Sequence, residues 1–250
     1  MTEVAMSLRG FGAGFGRRTL LRGVDADFPA GTLTALLGRN GAGKSTMLRA
    51  MAGLGDYSGT VEIDGRDARR MTPRERARAV AYVGAGRIRV AAMSCRAVVE
   101  MGRAPYTGWT GRLSEPDRAI VDRAFEAVGI AALAERTADT LSDGEFQRVM
   151  IARALAQDTP AIILDEPTSF LDIPNRLQLC KLLRDLAHTT GKSVLFSTHE
   201  LDLALRLADR IALIDTPRLI VDGSEATAAS GEIERVFSLP EGSLGSGDKS

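Results

Sequence analysis

The chain has 250 residues, of which 44% are hydrophobic and 26% charged, enough apolar material to bury a globular core. Its 32 basic residues balance 32 acidic ones, so no overall field favours nucleic acid or anionic lipid, and we predict no nucleic-acid partner. Two cysteines without CxxC spacing and two histidines argue against a zinc or redox site and predict reduced thiols in the cytoplasm. No apolar stretch approaches the roughly 18 residues that span a bilayer. We therefore expect any membrane-spanning part to belong to another chain.

The first third of the chain has the pattern of short strands separated by glycine turns. An apolar strand at 33–37 is followed by a predicted helix from about Gly43 to Ala52, and apolar runs at 61–64 and 80–83 predict two further strands. From 87 to 140 the pattern becomes helical, most clearly in 114–128, where Ser114 and Asp117 predict an N-cap pair. This segment is predicted to be a helical insert.

The second half of the chain alternates predicted helices with short apolar strands. In order, these are a helix from Asp143, a strand at 161–164, a helix from about Asn175, a strand at 193–196, a helix from Glu200 and a strand at 211–214. Such alternation predicts an α/β fold with a mostly parallel sheet covered on both faces. We predict a single domain with its core in 1–86 and 141–222, a helical subdomain in 87–140, and a C-terminal helix and flexible tail in 223–250.

A glycine-rich loop joins the strand at 33–37 to the helix after it, and it fits the phosphate-binding P-loop pattern at every fixed position. The loop and the start of the helix comprise Gly38, Arg39, Asn40, Gly41, Ala42, Gly43, Lys44, Ser45 and Thr46. Its glycines let backbone N–H groups converge on phosphates, and the helix N-terminus adds a partial positive charge. Lys44 is predicted to reach the outer phosphates and Ser45 to ligate Mg²⁺. A glycine turn that binds nothing would not need the lysine, the hydroxyl and both flanking elements to coincide.

Two carboxylates, Asp165 and Glu166, follow the apolar strand at 161–164. Ligands bind at the carboxyl ends of strands in open parallel sheets, although two acids after a strand can equally form a solvated loop. Downstream of a P-loop we predict that Asp165 holds Mg²⁺, directly or through water. Glu166 is then free to polarise the water that attacks the γ-phosphate.

The segment Leu141-Ser142-Asp143-Gly144-Glu145 resembles the ABC signature, usually written LSGGQ. Together with the P-loop and the acidic strand, it makes the chain similar to ABC-transporter nucleotide-binding subunits from Phe15 to about Phe237. The resemblance implies a P-loop ATPase core of the ABC type with a mostly parallel sheet, an N-terminal antiparallel β part and an inserted helical subdomain. It implies ATP and Mg²⁺ as cofactors and functional roles for Lys44, Ser45, Thr46, Ser142, Gly144, Asp165, Glu166, Asp172 and His199.

The resemblance also assigns roles to individual residues. His199 matches a histidine that contacts the γ-phosphate, and Phe15 matches an aromatic residue that stacks on adenine, with Phe11 as a nearby alternative. Ser142 and Gly144, with the helix that follows, imply a second anion site that closes on the nucleotide of a partner subunit. Because each chain has one P-loop and one signature, two chains give two complete sites, which predicts a homodimer in the ATP-bound state.

The chain departs from the family pattern at two places. The strand at 80–83 is usually followed by a Mg²⁺-sensing glutamine, and this chain instead has Gly84, Ala85, Gly86 and Arg87. The signature carries Asp143 and Glu145 where glycine and glutamine are usual, which we interpret as tolerated variation.

The stretch Gly102-Arg103-Ala104-Pro105-Tyr106, Asp117 and the run 152–157 resemble importer subunits for ferric siderophores, haem and cobalamin. This likeness predicts a separate integral permease, an indirect link to a substrate-binding protein, and a peripheral location on the cytoplasmic side of the inner membrane. The alternatives are an ABC subunit for another substrate, a non-transport ABC ATPase acting on DNA or ribosomes, and a non-catalytic regulator. The absence of a sustained heptad pattern between Lys44 and Ser142 argues against the DNA-repair class, and retention of Glu166 and His199 argues against the regulator.

Overall fold

The computed structural model describes residues 3–16, 18–86, 92–240 and 242–243. Within these ranges the strands are β1 (Val4–Phe15), β2 (Arg18–Pro29), β3 (Leu33–Leu37), β4 (Ser58–Ile63), β5 (Arg66–Asp67), β6 (Val80–Val83), β7 (Ala161–Leu164), β8 (Ser193–Ser197), β9 (Arg210–Asp215) and β10 (Arg218–Gly223). The α-helices are α1 (Lys44–Met51), α2 (Pro73–Ala79), α3 (Cys95–Glu100), α4 (Glu115–Ala127), α5 (Asp143–Ala156), α6 (Ile173–Thr190), α7 (Leu201–Leu207), α8 (Ser224–Ala229) and α9 (Glu232–Phe237).

Two sheets form the core of the fold. The smaller is antiparallel with the order β2-β1-β4-β5, and the larger has the order β10-β9-β3-β8-β7-β6. All neighbouring strands of the larger sheet are parallel except β10, which pairs antiparallel with β9. The predicted α/β fold, with an N-terminal antiparallel part and a helical insert, is confirmed. Because β3, β7 and β8 are parallel neighbours, the P-loop, the acidic pair and His199 all leave the sheet at the same edge.

The prediction of short N-terminal strands separated by glycine turns was wrong. β1 and β2 are each 12 residues long, and several of the glycines lie inside them. Gly10 has a φ of +56° at a point where the pairing with β2 shifts register between Leu8 and Phe11. A residue with positive φ is needed in a β-bulge as well as in a turn. The presence of glycine alone therefore did not distinguish a bulge within a long strand from a turn between two short strands.

The apolar core consists of two clusters on opposite faces of the larger sheet. Alternate residues of β3 point to the two sides, so that Leu36 packs with Met47 and Leu48 of α1 between the sheets, whereas Leu37 packs with the helices on the other face. All five residues of β3 are buried, which explains why this strand has a continuous apolar sequence. The strand that leads into the P-loop is therefore held rigidly on both faces.

The predicted insert contains α3 and α4, which pack on α5, and Arg103 joins a buried ion pair within the insert to the C-terminal end of α5. The Arg103 guanidinium contacts the Asp117 carboxylate at 2.8 Å, with the two side chains 5% and 12% exposed, and also donates to the Ala156 carbonyl at 2.9 Å. Ser114 and Asp117 form the predicted N-cap pair of α4 as a complete capping box. The predicted start of the insert at Arg87 lies outside the described residues, and its end at 140 stays a prediction.

Smaller differences concern element ends and the C-terminal part. α6 begins at Ile173, two residues before the predicted start, because Asp172 caps it. β10 was not predicted, and two short helices, α8 and α9, replace the single predicted C-terminal helix. The predicted flexible tail falls largely on 241 and 244–250, outside the described residues. None of the helices within the described ranges has the length and hydropathy needed to cross a bilayer.

Candidate functional site

The loop between β3 and α1 has the backbone shape that its glycines allow. Gly43 has a φ of +102°, and a Cβ at this position would lie 2.8 Å from Cδ1 of Leu20. Gly41 also has a positive φ, and the Ala42 N–H donates to the Arg39 carbonyl at 3.0 Å. Only glycine fits such conformations without strain, so the sequence dictates a tight loop that leads directly into the N-terminus of α1.

Lys44 begins α1, and its side chain is folded back into the loop. Its Nζ donates to the Gly38 carbonyl at 3.0 Å, and the residue is only 7% exposed. Burial lowers the pKa of the Lys44 ammonium, while the nearby carboxylates of Glu166 and Asp165 act in the opposite direction. The geometry brings the predicted phosphate-binding cation and the acidic pair together.

A cavity of about 530 Å³ opens above this loop. Its lining comprises Phe15, Arg18, Leu20, Asn40, Gly41, Ala42, Gly43, Lys44, Ser45, Thr46 and Glu166. Phe15 is 80% exposed at the end of β1, whereas the alternative aromatic residue, Phe11, is fully buried in the core. The geometry therefore favours Phe15 for stacking on a planar ligand. The sequence did not single out Arg18 or Leu20, which enter the lining because β2 starts beside the loop.

Asp165 follows β7 and is held by two neighbouring strands. The Ser197 hydroxyl donates to Asp165 Oδ1 at 2.8 Å, and the Tyr82 hydroxyl donates to Oδ2 at 3.3 Å. Burial, reinforced by the Asp165 charge, raises the pKa of Tyr82 to about 12, so the phenol keeps its proton. Neither contact was predicted. Both follow from the parallel register, which pairs Tyr82 with Ile163 and Leu164 with Phe196 and which the sequence does not specify.

Glu166 has an unusual backbone conformation, with a φ of +48°. Its N–H donates to the Ser197 hydroxyl at 2.8 Å, and its carboxylate accepts from the Ser169 hydroxyl at 3.1 Å. A non-glycine residue with positive φ costs about 1 kcal/mol or more and persists only where its surroundings fix it. Ser197 therefore orients both acidic residues, through a side chain in one case and a main-chain N–H in the other.

The residues at this site fit a magnesium ion only together with a phosphate ligand. Within the described ranges, no group of three or more His, Cys, Asp or Glu side chains is arranged to hold a metal. Ser45 is exposed in the cavity, and Asp165 keeps free lone pairs beside its two hydrogen bonds. Mg²⁺ prefers six oxygen ligands and keeps several waters, so Ser45, Asp165, phosphate oxygens and water make a suitable set.

The signature segment lies at the N-terminus of α5, where a carboxylate of the same chain accepts the hydrogen bonds of the helix cap. The Ser142 N–H and hydroxyl both donate to Glu145 Oε2 at 2.8 Å, and the Glu145 N–H donates back to the Ser142 hydroxyl. The hydrogen bond from the Ser142 backbone, with one from its hydroxyl, lowers the pKa of Glu145. Arg136 contacts the same carboxylate at 3.3 Å. Glu145 is therefore the second half of a capping box, a role that the sequence interpretation as tolerated variation missed.

The remaining predicted site residues are not part of the cavity lining. His199 is exposed after β8, at the same sheet edge, and Asp172 caps α6 by accepting from the Asn175 N–H at 3.0 Å. Gly38 and Arg39 are the first two residues of the loop after β3, and Gly144 lies in the first turn of α5, which Ser142 caps. Nucleotide contacts of His199, Asp172 and the signature stay predictions.

Comparison with known proteins gives a consistent result. A family model described as ABC transporter matches residues 21–169. The ferric enterobactin transport ATP-binding protein of Escherichia coli is 33% identical over 243 residues, which cover 96% of this chain and 90% of that protein. The cobalamin import ATP-binding protein of Halobacterium salinarum is 40% identical over 201 residues, 80% of this chain and 50% of that protein. A solved inward-facing transporter described as metal-chelate type superposes with a TM-score of 0.83 at 27% identity, covering 95% of this chain and 90% of that one.

Proposed function

We propose a specific transport role for this chain, which belongs to the ABC transporter family. In this role the ATPase energises an importer for an iron-siderophore, haem or cobalamin-type substrate through a separate permease. The observation that carries the proposal is the cavity of about 530 Å³, which joins the P-loop, Lys44 and Glu166 to an exposed aromatic ring. Its volume suits a ligand of nucleotide size. Its lining provides a stacking surface at one end and a phosphate-binding loop at the other.

In this proposal ATP binds with its adenine on Phe15 and its phosphates against the loop N–H groups and Lys44. Such ring stacking is worth about 1 kcal/mol and hardly distinguishes among purines, so most affinity would come from the phosphate contacts. Ser45 and Asp165 would hold Mg²⁺, which when bound neutralises phosphate charge and orients the outer phosphate group.

Glu166 is the candidate general base for hydrolysis. Its carboxylate lines the cavity, and Ser197 and Ser169 fix its backbone and side chain. It would orient the attacking water and accept its proton, while His199 would contact the γ-phosphate from the end of β8. The neighbouring Lys44 ammonium would stabilise negative charge on the leaving phosphate oxygens.

The active unit in this proposal is a homodimer in which each signature completes the partner's site. Ser142 and Gly144 lie at the N-terminus of a 14-residue helix, which offers N–H groups and a partial positive charge to an anion. Asp172 would lie at the same junction. ATP would thus hold two subunits together, and hydrolysis would release them to drive the permease.

The substrate class is supported by the relatives that transport ferric enterobactin and cobalamin. It is also supported by the insert, whose Gly102-to-Tyr106 segment shares the importer pattern. There, Arg103 forms the buried ion pair with Asp117, and its guanidinium stacks 3.8 Å from the centre of the Tyr106 ring. Permease and substrate-binding protein would place the subunit on the cytoplasmic side of the inner membrane.

The dimer and the base are tested together with Glu166→Gln, compared with Lys44→Ala. Loss of general-base assistance should reduce hydrolysis by about 10² to 10⁴ while leaving ATP bound, so Glu166→Gln with Mg-ATP should elute at twice the monomer mass. Lys44→Ala should bind ATP poorly and remain monomeric. A Glu166→Gln protein that stays monomeric at saturating ATP would contradict the shared-site arrangement.

The shared site and the transporter role need two further experiments. Mixing a Ser142→Arg subunit with a Lys44→Ala subunit places both defects in one composite site, so hydrolysis should return in part. Purification from native membranes should then yield an integral permease together with an iron-chelate-binding or cobalamin-binding protein. Recovery of ribosomes or DNA instead would refute the importer assignment.

A further inference from the structure

A small cavity of about 30 Å³ lies where the usual glutamine of this family is missing. It is enclosed by the loop after β6, the first turns of α5 and the segment after β7, with lining residues Gly84, Gly86, Asp143, Phe146, Gln147, Asp165, Glu166, Ser169 and Phe170. Its volume has room for about two water molecules, and its walls carry both acidic residues of the site. The described part of the loop contributes no side chain larger than that of Ala85.

Gln147 is the one amide side chain in this lining. It lies in the second turn of α5, is half-buried, and makes no side-chain hydrogen bond to any other residue in the described ranges. By contrast, the Gln157 amide at the C-terminal end of the same helix donates to the carbonyls of Ala77 and Val80. The Gln147 amide faces the same small cavity as the acidic pair and is not engaged by another described side chain, so it is placed to bind a water there.

We propose that Gln147 takes the place of the missing glutamine at position 85 by holding a water between itself and the Asp165–Glu166 pair. This inference rests on the proposed function and deepens it. An amide suits the role because its carbonyl can accept from a water while its NH₂ donates to a carboxylate. Asp143, which lines the same cavity, takes part in another interaction and carries a charge that would repel the acidic pair.

Its position on α5 gives this contact a mechanical consequence. Ser142 caps the same helix five residues earlier, and Arg103 donates to the carbonyl of Ala156 at its other end. A glutamine at position 85 would link the metal site to the start of the insert. Gln147 instead links the metal site directly to the signature helix, so occupation of one subunit's nucleotide site is sensed by the element that meets its partner.

The test compares the parent with three variants: Gln147→Ala, Ala85→Gln, and the double variant that carries both changes. Gln178→Ala is the control. Gln178 is exposed on α6 and is absent from the lining of this cavity. The readout is equilibrium binding of a non-hydrolysable ATP analogue in a Mg²⁺ titration, so that no turnover occurs and the Asp165–Glu166 pair stays intact. Groups that orient a metal's ligands are typically worth 10-fold to 100-fold in metal affinity.

We expect Gln147→Ala to raise the Mg²⁺ concentration needed for half-maximal binding of the analogue about tenfold, and Gln178→Ala to leave it unchanged. In the double variant, Ala85→Gln should bring this Mg²⁺ concentration back to within about threefold of the parent value. A merely structural defect in α5 would not be repaired in this way. Unchanged Mg²⁺ dependence in Gln147→Ala, or no restoration by Ala85→Gln, would overturn the inference alone. Failure of the parent to bind Mg-ATP would overturn the proposed function as well.

Discussion

The ion pair between Arg103 and Asp117 gives the sharpest prediction for stability. Asp117 accepts from Arg103 Nε at 2.9 Å and Nη2 at 2.8 Å, and its other oxygen accepts from the Ser114 N–H at 3.0 Å. The same oxygen also accepts from the Ser114 hydroxyl, and Asp117→Ala removes all four contacts. The guanidinium, 5% exposed, then keeps the Ala156 carbonyl as an acceptor but has lost its carboxylate partner.

Loss of one partner from a buried pair costs about 3 to 5 kcal/mol, because the other charge stays buried and unpaired. Total stabilities of domains are about 5 to 15 kcal/mol, so Asp117→Ala should lose a large share. Asp117→Asn keeps an acceptor and should lose about half as much. The double variant Arg103→Met/Asp117→Leu removes both charges and should be more stable than Asp117→Ala.

The assay is urea unfolding at pH 7, with Asp122→Ala as the matched control. Asp122 pairs with Arg96 at 2.7 Å, but its side chain is 53% exposed, so its loss should cost less than about 1 kcal/mol. An Asp117→Ala variant within about 1 kcal/mol of the parent would refute the argument. So would a double variant no more stable than Asp117→Ala.

The same pair predicts a definite pH dependence. Hydrogen bonding from Ser114, with the contact to Arg103, lowers the pKa of Asp117 below its usual value. A carboxyl whose pKa falls on folding contributes its stability above the pKa of the unfolded chain, about 3.9. The difference between the parent and Asp117→Ala should therefore be constant near neutrality and shrink only as the pH falls below about 4.

Three further predictions test the candidate site and the hydrophobic core. Phe15→Ala should weaken ATP binding about fivefold in a fluorescent-nucleotide titration without changing the free energy of unfolding. Phe11→Ala should lower the free energy of unfolding by about 3 to 5 kcal/mol in urea. The opposite pattern would assign ring stacking to Phe11 and the core position to Phe15. Ser197→Ala should lower the free energy of unfolding by about 1 to 3 kcal/mol and raise the Mg²⁺ concentration needed for ATP binding. If neither quantity changes, Asp165 and Glu166 are oriented by other contacts. Burial raises the pKa of the Cys180 thiol to about 12 and also raises that of Cys95, so neither should react with a disulfide reagent at pH 8 until urea unfolds the chain.

The parts of the fold that the sequence predicted were those encoded over short distances. β3, β6 and β7 coincide with their predicted bounds because continuous apolar runs specify buried parallel strands. The Ser114–Asp117 capping box was predictable because both partners lie within one helical turn. The P-loop was predictable because its glycine and lysine spacing directly encodes the loop geometry.

The features that were missed depend on contacts between distant segments. Arg103 and Asp117 were singled out by family likeness, but nothing local indicated that they pair. Ser197 and Tyr82 acquire their contacts to Asp165 from strand order, which the sequence did not specify. Gln147 became significant only from the cavity beside it, to which residues 84–86, the described part of the loop after β6, contribute no side chain larger than that of Ala85.

In the proposed dimer, the capping box at the signature would make closure an exchange of hydrogen-bond acceptors. In the single subunit, the Ser142 hydroxyl and N–H are satisfied by the Glu145 carboxylate, and Arg136 neutralises part of its charge. In the proposed dimer an incoming phosphate would have to displace an anion of the same chain, so closure would gain little in the number of hydrogen bonds. The free-energy difference between open and closed subunits would then be correspondingly small. Two subunits that must separate after every cycle benefit from nearly equal free energies of the open and closed states, because a much more stable closed state would prevent them from separating.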